Sequence, residues 1–181
     1  DHLKKTKREG IEDLIAYMDD CGFFSAPCSS QYHLSCEFGL VQHTRNVMEI
    51  AEKIGVALYG GAEYNKIQNS VIISAILHDL GKMGQFDKPL YVENRLKNGE
   101  LGKKPYNTNP DLLNIPHEVR SIVIASMFID LTEEEQFAIL YHNGLYGDFK
   151  YEISGKETPL YLLIHFADMW ASRVIETKEE K

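Results

Sequence analysis

Apolar residues recur along this chain at helical rather than strand spacing. Ile11, Leu14, Ile15 and Met18 fall at i, i+3, i+4 and i+7 and predict a first amphipathic helix. It stops before CGFFSAPCSS, whose glycine, proline and serines mark a loop. A second stripe, Leu40, His43, Val47, Ile50 and Ile54, predicts a helix over 40–58, closed by YGGAEYN. The third helix covers 65–80. Ile72, Ala75, Ile76 and Asp79 share one of its faces, so a carboxylate projects from an apolar stripe before Gly81 ends the helix. From 84 to 116 the pattern changes. Short alternating runs flank KNG, which reads as a β-hairpin or extended flap. Helical spacing returns in HEVRSIVIASMF. The next helix opens on Thr132 and Glu135, a capping box, and runs to His142 before Gly144. The last has Thr158 at its cap and Pro159 in its first turn, and passes through His165 and Asp168 into a charged tail. Repeats, low-complexity tracts and linkers are absent, which predicts one compact all-α domain over 1–181 with a flap, residues 1–8 and 176–181 fraying.

Six polar residues sit on or beside those apolar faces: His43, His78, Asp79, His117, His142 and Asp168. They come from five predicted helices. A lone histidine on such a face is commonly a hydrogen-bonded core residue. An unpaired carboxylate there costs several kcal/mol, and several inward-facing polar groups need shared partners. A bound metal cation is one such partner.

Composition narrows what the site could serve. With 181 residues and 44% apolar content the chain can bury one core. A net charge of −8 argues against gripping duplex nucleic acid, but leaves room for a small phosphorylated or nucleotide substrate, since a metal in a cleft supplies local positive charge. No run approaches the about 18–20 apolar residues of a membrane span, and DHLKKTKREG lacks the apolar core of a signal peptide, so a cytoplasmic protein is expected. Cys21, Cys28 and Cys36 are odd in number and form no C-x-x-C pair, which predicts free thiols. There is no G-x-S-x-G elbow, and GKMG is not a P-loop. The oligomeric state stays open.

The ordered segments GLVQHT, LHDLGK, PHEV, YHNG and FADMW resemble the HD-domain superfamily of metal-dependent phosphohydrolases, an all-helical fold. The stretch FFSAPCSSQYHLSCEFGLVQHTRNVMEIA is similar to small bacterial and phage HD proteins and to the HD domain of bacterial 3′-to-5′ exoribonucleases. The resemblance implies that His43, His78, Asp79 and Asp168 hold one metal. His117 and His142 match positions that bind a second in the dinuclear branch, with Asp79 bridging; alternatively they contact substrate phosphate or shuttle protons. Two divalent transition-metal ions per chain are expected, and mixed nitrogen and oxygen ligation suits Mn, Fe, Co, Ni or Zn. A phosphoester or phosphoanhydride of a nucleotide would then be cleaved by a metal-activated water, with Asp79 and Lys82 as the catalytic residues. The alternatives are a 3′-to-5′ exonuclease acting on short oligonucleotides and a nucleotide-binding regulatory module without turnover. In the similar proteins a histidine at the place of His33 lies beside the active site, so a substrate contact is expected there. Arg45, Arg173, Lys103, Lys104 and Tyr106 are further candidates for phosphate or nucleotide, and His165 for orienting a carboxylate. The flap is expected to act as a lid, with Tyr91, Lys103, Lys104 and Tyr106 choosing substrates.

Overall fold

Glycines and capping residues set the helix boundaries in the computed structural model, which describes residues 1–177. The helices are α1 (His2–Lys5), α2 (Ile11–Asp20), α3 (Gly39–Tyr59), α4 (Gly61–Leu77), α5 (His117–Ala125), α6 (Glu133–Tyr141), α7 (Lys150–Ile153) and α8 (Pro159–Trp170). Strands β1 (Tyr91–Arg95) and β2 (Leu101–Thr108) form the expected antiparallel hairpin, pairing Tyr91 with Thr108 and Glu93 with Tyr106. Gly99 supplies the positive φ of 87° in its turn. The fold is thus a helical bundle carrying a two-stranded flap.

The third predicted helix is displaced. α4 starts at Gly61 rather than Asn65, because Gly60 at φ 74° reverses the chain within one residue of α3. It stops at Leu77, and His78 and Asp79 lead into a tight 3-10 turn, Leu80–Met83. The reason is close approach. A Cβ on Gly81 would lie 2.3 Å from the His117 carbonyl oxygen, and the Gly81 N–H donates to Ser121 Oγ at 2.8 Å. Ser121 in turn donates to the His78 carbonyl at 3.0 Å, so one hydroxyl clamps the His-Asp doublet to α5.

α4 is the central helix, exposed along much of its first half and buried on nearly every side from Val71 to Leu77. Ile73 and Leu77 join Leu14, Met18, Leu40 and Ile124 in one apolar cluster; Val71 and Ala75 join Val47, Leu160 and Ile164 in the other. α3 packs on α4 and α8, and α6 on α4, α5 and α8. The capping box at Thr132 and Glu135 is present.

Both ends of the described chain make contacts with the bundle. Leu3 is buried in the first cluster, and both guanidinium nitrogens of Arg8 donate to Glu135, at 2.7 and 3.0 Å. Beyond α8 the chain makes a π turn, Ala171–Ile175, and Glu176 after it is buried. Residues 178–181, expected to fray, lie outside the described residues. The π turn, α7 and the 3-10 turn Gly144–Tyr146 are too short for apolar periodicity to reveal.

Candidate metal centre

Four imidazoles converge on one carboxylate, and each has its outer nitrogen committed first. His78 Nδ1 donates to the Ala75 carbonyl and His142 Nδ1 to the Ile139 carbonyl, each at 2.8 Å, an i to i−3 contact that helix ends provide. His43 Nδ1 donates to the Glu176 carboxylate at 3.0 Å. His117 Nδ1 faces Glu118 Oε2 at 3.3 Å, and Asn143 Nδ2 holds the other oxygen of that carboxylate. With Nδ1 committed to these acceptors, Nε2 of each ring points inward, where it can offer a lone pair to a metal ion.

Those lone pairs divide between the two oxygens of Asp79. Oδ2 lies 3.4 Å from His43 Nε2 and 3.4 Å from His78 Nε2. Oδ1 lies 3.1 Å from His117 Nε2 and 3.5 Å from His142 Nε2. Asp168 Oδ1 adds a further oxygen 3.1 Å from His43 Nε2. The donor atoms of His43, His78 and Asp79 lie within 4.8 Å of one another, as do those of Asp79, His117 and His142. All six expected residues are therefore brought together.

Lone pairs facing carboxylate oxygens at hydrogen-bond distance repel unless something positive lies between them. Asp79 Oδ1 is buried and has no hydrogen-bond partner among the described residues. That orphan, inside a histidine-rich donor set, fits a divalent transition metal. Protons are the only substitute the protein itself provides. Burial pushes the His43 pKa down, but bonds to the Asp168 and Glu176 carboxylates raise it well above its ordinary value. Burial also opposes a proton on His142, yet Asp79 raises its pKa. At His78 burial prevails and the pKa falls. Asp79, despite burial, is held well below the carboxylate range by Lys82 and His78.

Lys82 Nζ donates to Asp79 Oδ2 at 2.7 Å. The tight turn, rather than a helix end, puts it there. It lines an open cleft of about 600 Å³ together with His33, Asn143, Tyr146, Asp168 and Arg173. His33, on the loop before α3, is held neutral near neutral pH: burial, then His43 and Lys82, lower its pKa to about 4. Its Nε2 lies 3.4 Å from Cys28 Sγ, and burial raises that thiol to about 11, so Cys28 is an inert packing neighbour.

Other candidates fall elsewhere. Arg45 pairs with Glu49 at 3.7 Å on the exposed side of α3 and lines a separate apolar depression with Ile15 and Phe24. Lys103 is exposed on the flap, and neither it nor Lys104 or Tyr106 lines the cleft. The Tyr106 N–H instead donates to the Ser30 carbonyl at 3.2 Å, tying the flap to the loop that carries His33. Tyr91, at the start of the flap, feels the centre's charges: burial raises its phenol pKa, against the charge of Lys82. His165 Nδ1 donates to the His142 carbonyl at 2.7 Å, so it supports the backbone of His142 rather than a carboxylate. Glu176, Glu118 and Asn143 are the partners sequence reasoning missed. The spacing Asp168, Ser172, Glu176 was the available signal.

A family model described as HD domain matches residues 40–164, most of the chain. No curated protein and no solved structure matches the chain. Among the described residues, no helix is long and apolar enough to cross a membrane.

Proposed function

Because this chain belongs to the HD-domain family, whose members are metal-dependent phosphohydrolases, we propose that it cleaves a phosphoester or phosphoanhydride of a nucleotide-like substrate at a dinuclear centre. The observation that carries the reading is the division of four inward-pointing Nε2 atoms between the two oxygens of Asp79. In it, His43, His78, Asp79 and Asp168 would hold one ion, and Asp79, His117 and His142 the other. Two such divalent ions would supply Lewis acidity and activate a water at neutral pH.

The remaining work falls to the chain itself. Asp79 stays ionised because Lys82 and the imidazoles outweigh its burial. Lys82 stays cationic because Asp79 outweighs its own burial, and from the cleft wall it stabilises charge gathering on the phosphoryl oxygens. Neutral His33 donates one N–H to the same group without adding charge. Glu176, Glu118 and the backbone carbonyls of Ala75 and Ile139 fix the ring orientations, so no ligand must rotate when an ion binds.

The test is phosphate release by metal-stripped protein reconstituted with Mn, Fe, Co, Ni, Zn or Mg, against nucleotides, cyclic dinucleotides and short oligonucleotides. Release from mononucleotides that vanishes in Asp79→Ala supports the reading. Release only from oligonucleotide ends would favour the exonuclease alternative. Tight nucleotide binding with no turnover under any metal overturns it in favour of a regulatory module.

A further inference from the structure

The cleft is larger than a phosphoryl group needs. Its roughly 600 Å³ lies within the range of about 300–1,000 Å³ typical of sites that bury a whole organic ligand. Lys82, His33 and Asp168 account for the wall beside the metal centre. Two tyrosines line the same cleft and are unusually bare: Tyr32 is 69% exposed and Tyr146 73%. The Arg173 guanidinium lies over the Tyr146 ring, 5.2 Å from its centroid.

Backbone geometry places these groups next to the chemistry. Tyr146 ends the 3-10 turn that follows Asn143, whose Nδ2 is 3.5 Å from His117 Nε2. Arg173 lies in the π turn, where the Glu176 N–H donates to the Ala171 carbonyl five residues back. That widened turn lets Glu176 reach His43 while Arg173 still faces the cleft.

The chemistry of this wall distinguishes between ligands. A second phosphate calls for clustered cations, but apart from Lys82 beside the metal centre Arg173 shares the cleft with neutral groups, among them Gln31, Ser172 and Thr177, and with the carboxylates of Asp168 and Glu176. Exposed tyrosine rings and a guanidinium plane instead suit a flat heteroaromatic ring, whose polar edge the amide and hydroxyls can meet. We infer that Tyr32, Tyr146 and Arg173 form a base-stacking subsite, so that the substrate is a nucleotide whose base lies on this wall while its phosphate reaches Lys82 and His33. The placement of the phosphate rests on the reading above. Stacking is tolerant of base identity, so purine and pyrimidine nucleotides are both accepted.

Calorimetric titration of the manganese-loaded protein tests this independently of turnover, using phosphonates in which carbon replaces the ester oxygen. Adenosine and cytidine 5′-methylenephosphonates should bind about 5- to 150-fold more tightly than ribose 5-methylenephosphonate. Tyr146→Ala and Arg173→Ala should erase most of that difference, and Tyr146→Phe should keep it. The side chains are exposed, so these variants retain the fold. Equal binding of all three phosphonates, or a difference that survives in both variants, overturns the subsite. Failure of the hydrolytic reading shows separately, as absence of phosphate release from the corresponding esters.

Discussion

Glu176 offers the sharpest test of how the centre is built. Its carboxylate is buried, accepts from His43 Nδ1 at 3.0 Å and from Asn46 Nδ2 at 2.8 Å, and belongs to a segment outside the family match. Replacing it with alanine leaves the His43 ring free to turn and removes the negative charge that makes Nε2 a better donor. Loss of such a partner typically lowers metal affinity about 10- to 100-fold, which corresponds to ~1.4–2.8 kcal/mol. Glu176→Gln keeps an oxygen for the Nδ1–H and loses only charge, so it should fall between alanine and wild type. His43 belongs to one half of the centre and His117 with His142 to the other. Manganese titration against a chromophoric chelator should therefore show one of two binding steps weakened and the other nearly unchanged. Both steps within twofold of wild type in Glu176→Ala would refute the positioning role, and equal loss in both would point to general disruption.

Asp79→Ala should bind no metal tightly and release no phosphate, since both half-sites lose their shared oxygen donor; retention of two ions by elemental analysis would contradict the bridging assignment. Lys82→Ala should lower kcat with metal content unchanged, because its Nζ contacts Asp79 without being a donor to an ion; a parallel loss of metal would make it structural. The raised pKa values of His43 and His142 mean that folding of the metal-free protein takes up protons there. That stability is full below pH about 6.5 and is lost as pH rises through the raised values, whereas manganese affinity should climb over the same interval as protons leave. Calorimetric melting with and without manganese across pH 6–9 should show the two trends crossing, and parallel curves would be the contrary result. Arg8→Ala leaves the buried carboxylate of Glu135 without its cationic partner and with the capping bond from the Thr132 N–H; discounting for the partly exposed arginine, the loss is about 1–3 kcal/mol, or a fall in Tm of roughly 2–12 °C. An unchanged Tm would mean that the N-terminal segment does not anchor the fold.

Helical spacing made the long elements and the faces of His43, His78 and Asp168 legible, because a ligand on an apolar stripe breaks a period of many residues. It misplaced the end of α4. Gly81 read as a stop signal, whereas its role is to let backbone approach His117, a tertiary contact that no local pattern records. Glu176 looked like part of a solvated tail, since its burial depends on a five-residue turn that helical periodicity treats as noise. Arg45 shows the converse. Two positions from His43 on a helix, it points away from the centre, as the 100° per residue of an α-helix requires.

The six inward-facing donors are separated along the chain by up to the span from residue 43 to residue 168. Ions held by them would act as cross-links, closing long loops in the way disulfides do in oxidising compartments, but reversibly. Closing loops of that length is costly in chain entropy, and each doubling adds only about 0.6 kcal/mol, so the first long-range tie matters most. Metal supply would then govern the lifetime of the molecule as well as its chemistry: scavenging the ions leaves a chain that opens more often and meets proteases sooner, coupling abundance to the metal content of its surroundings.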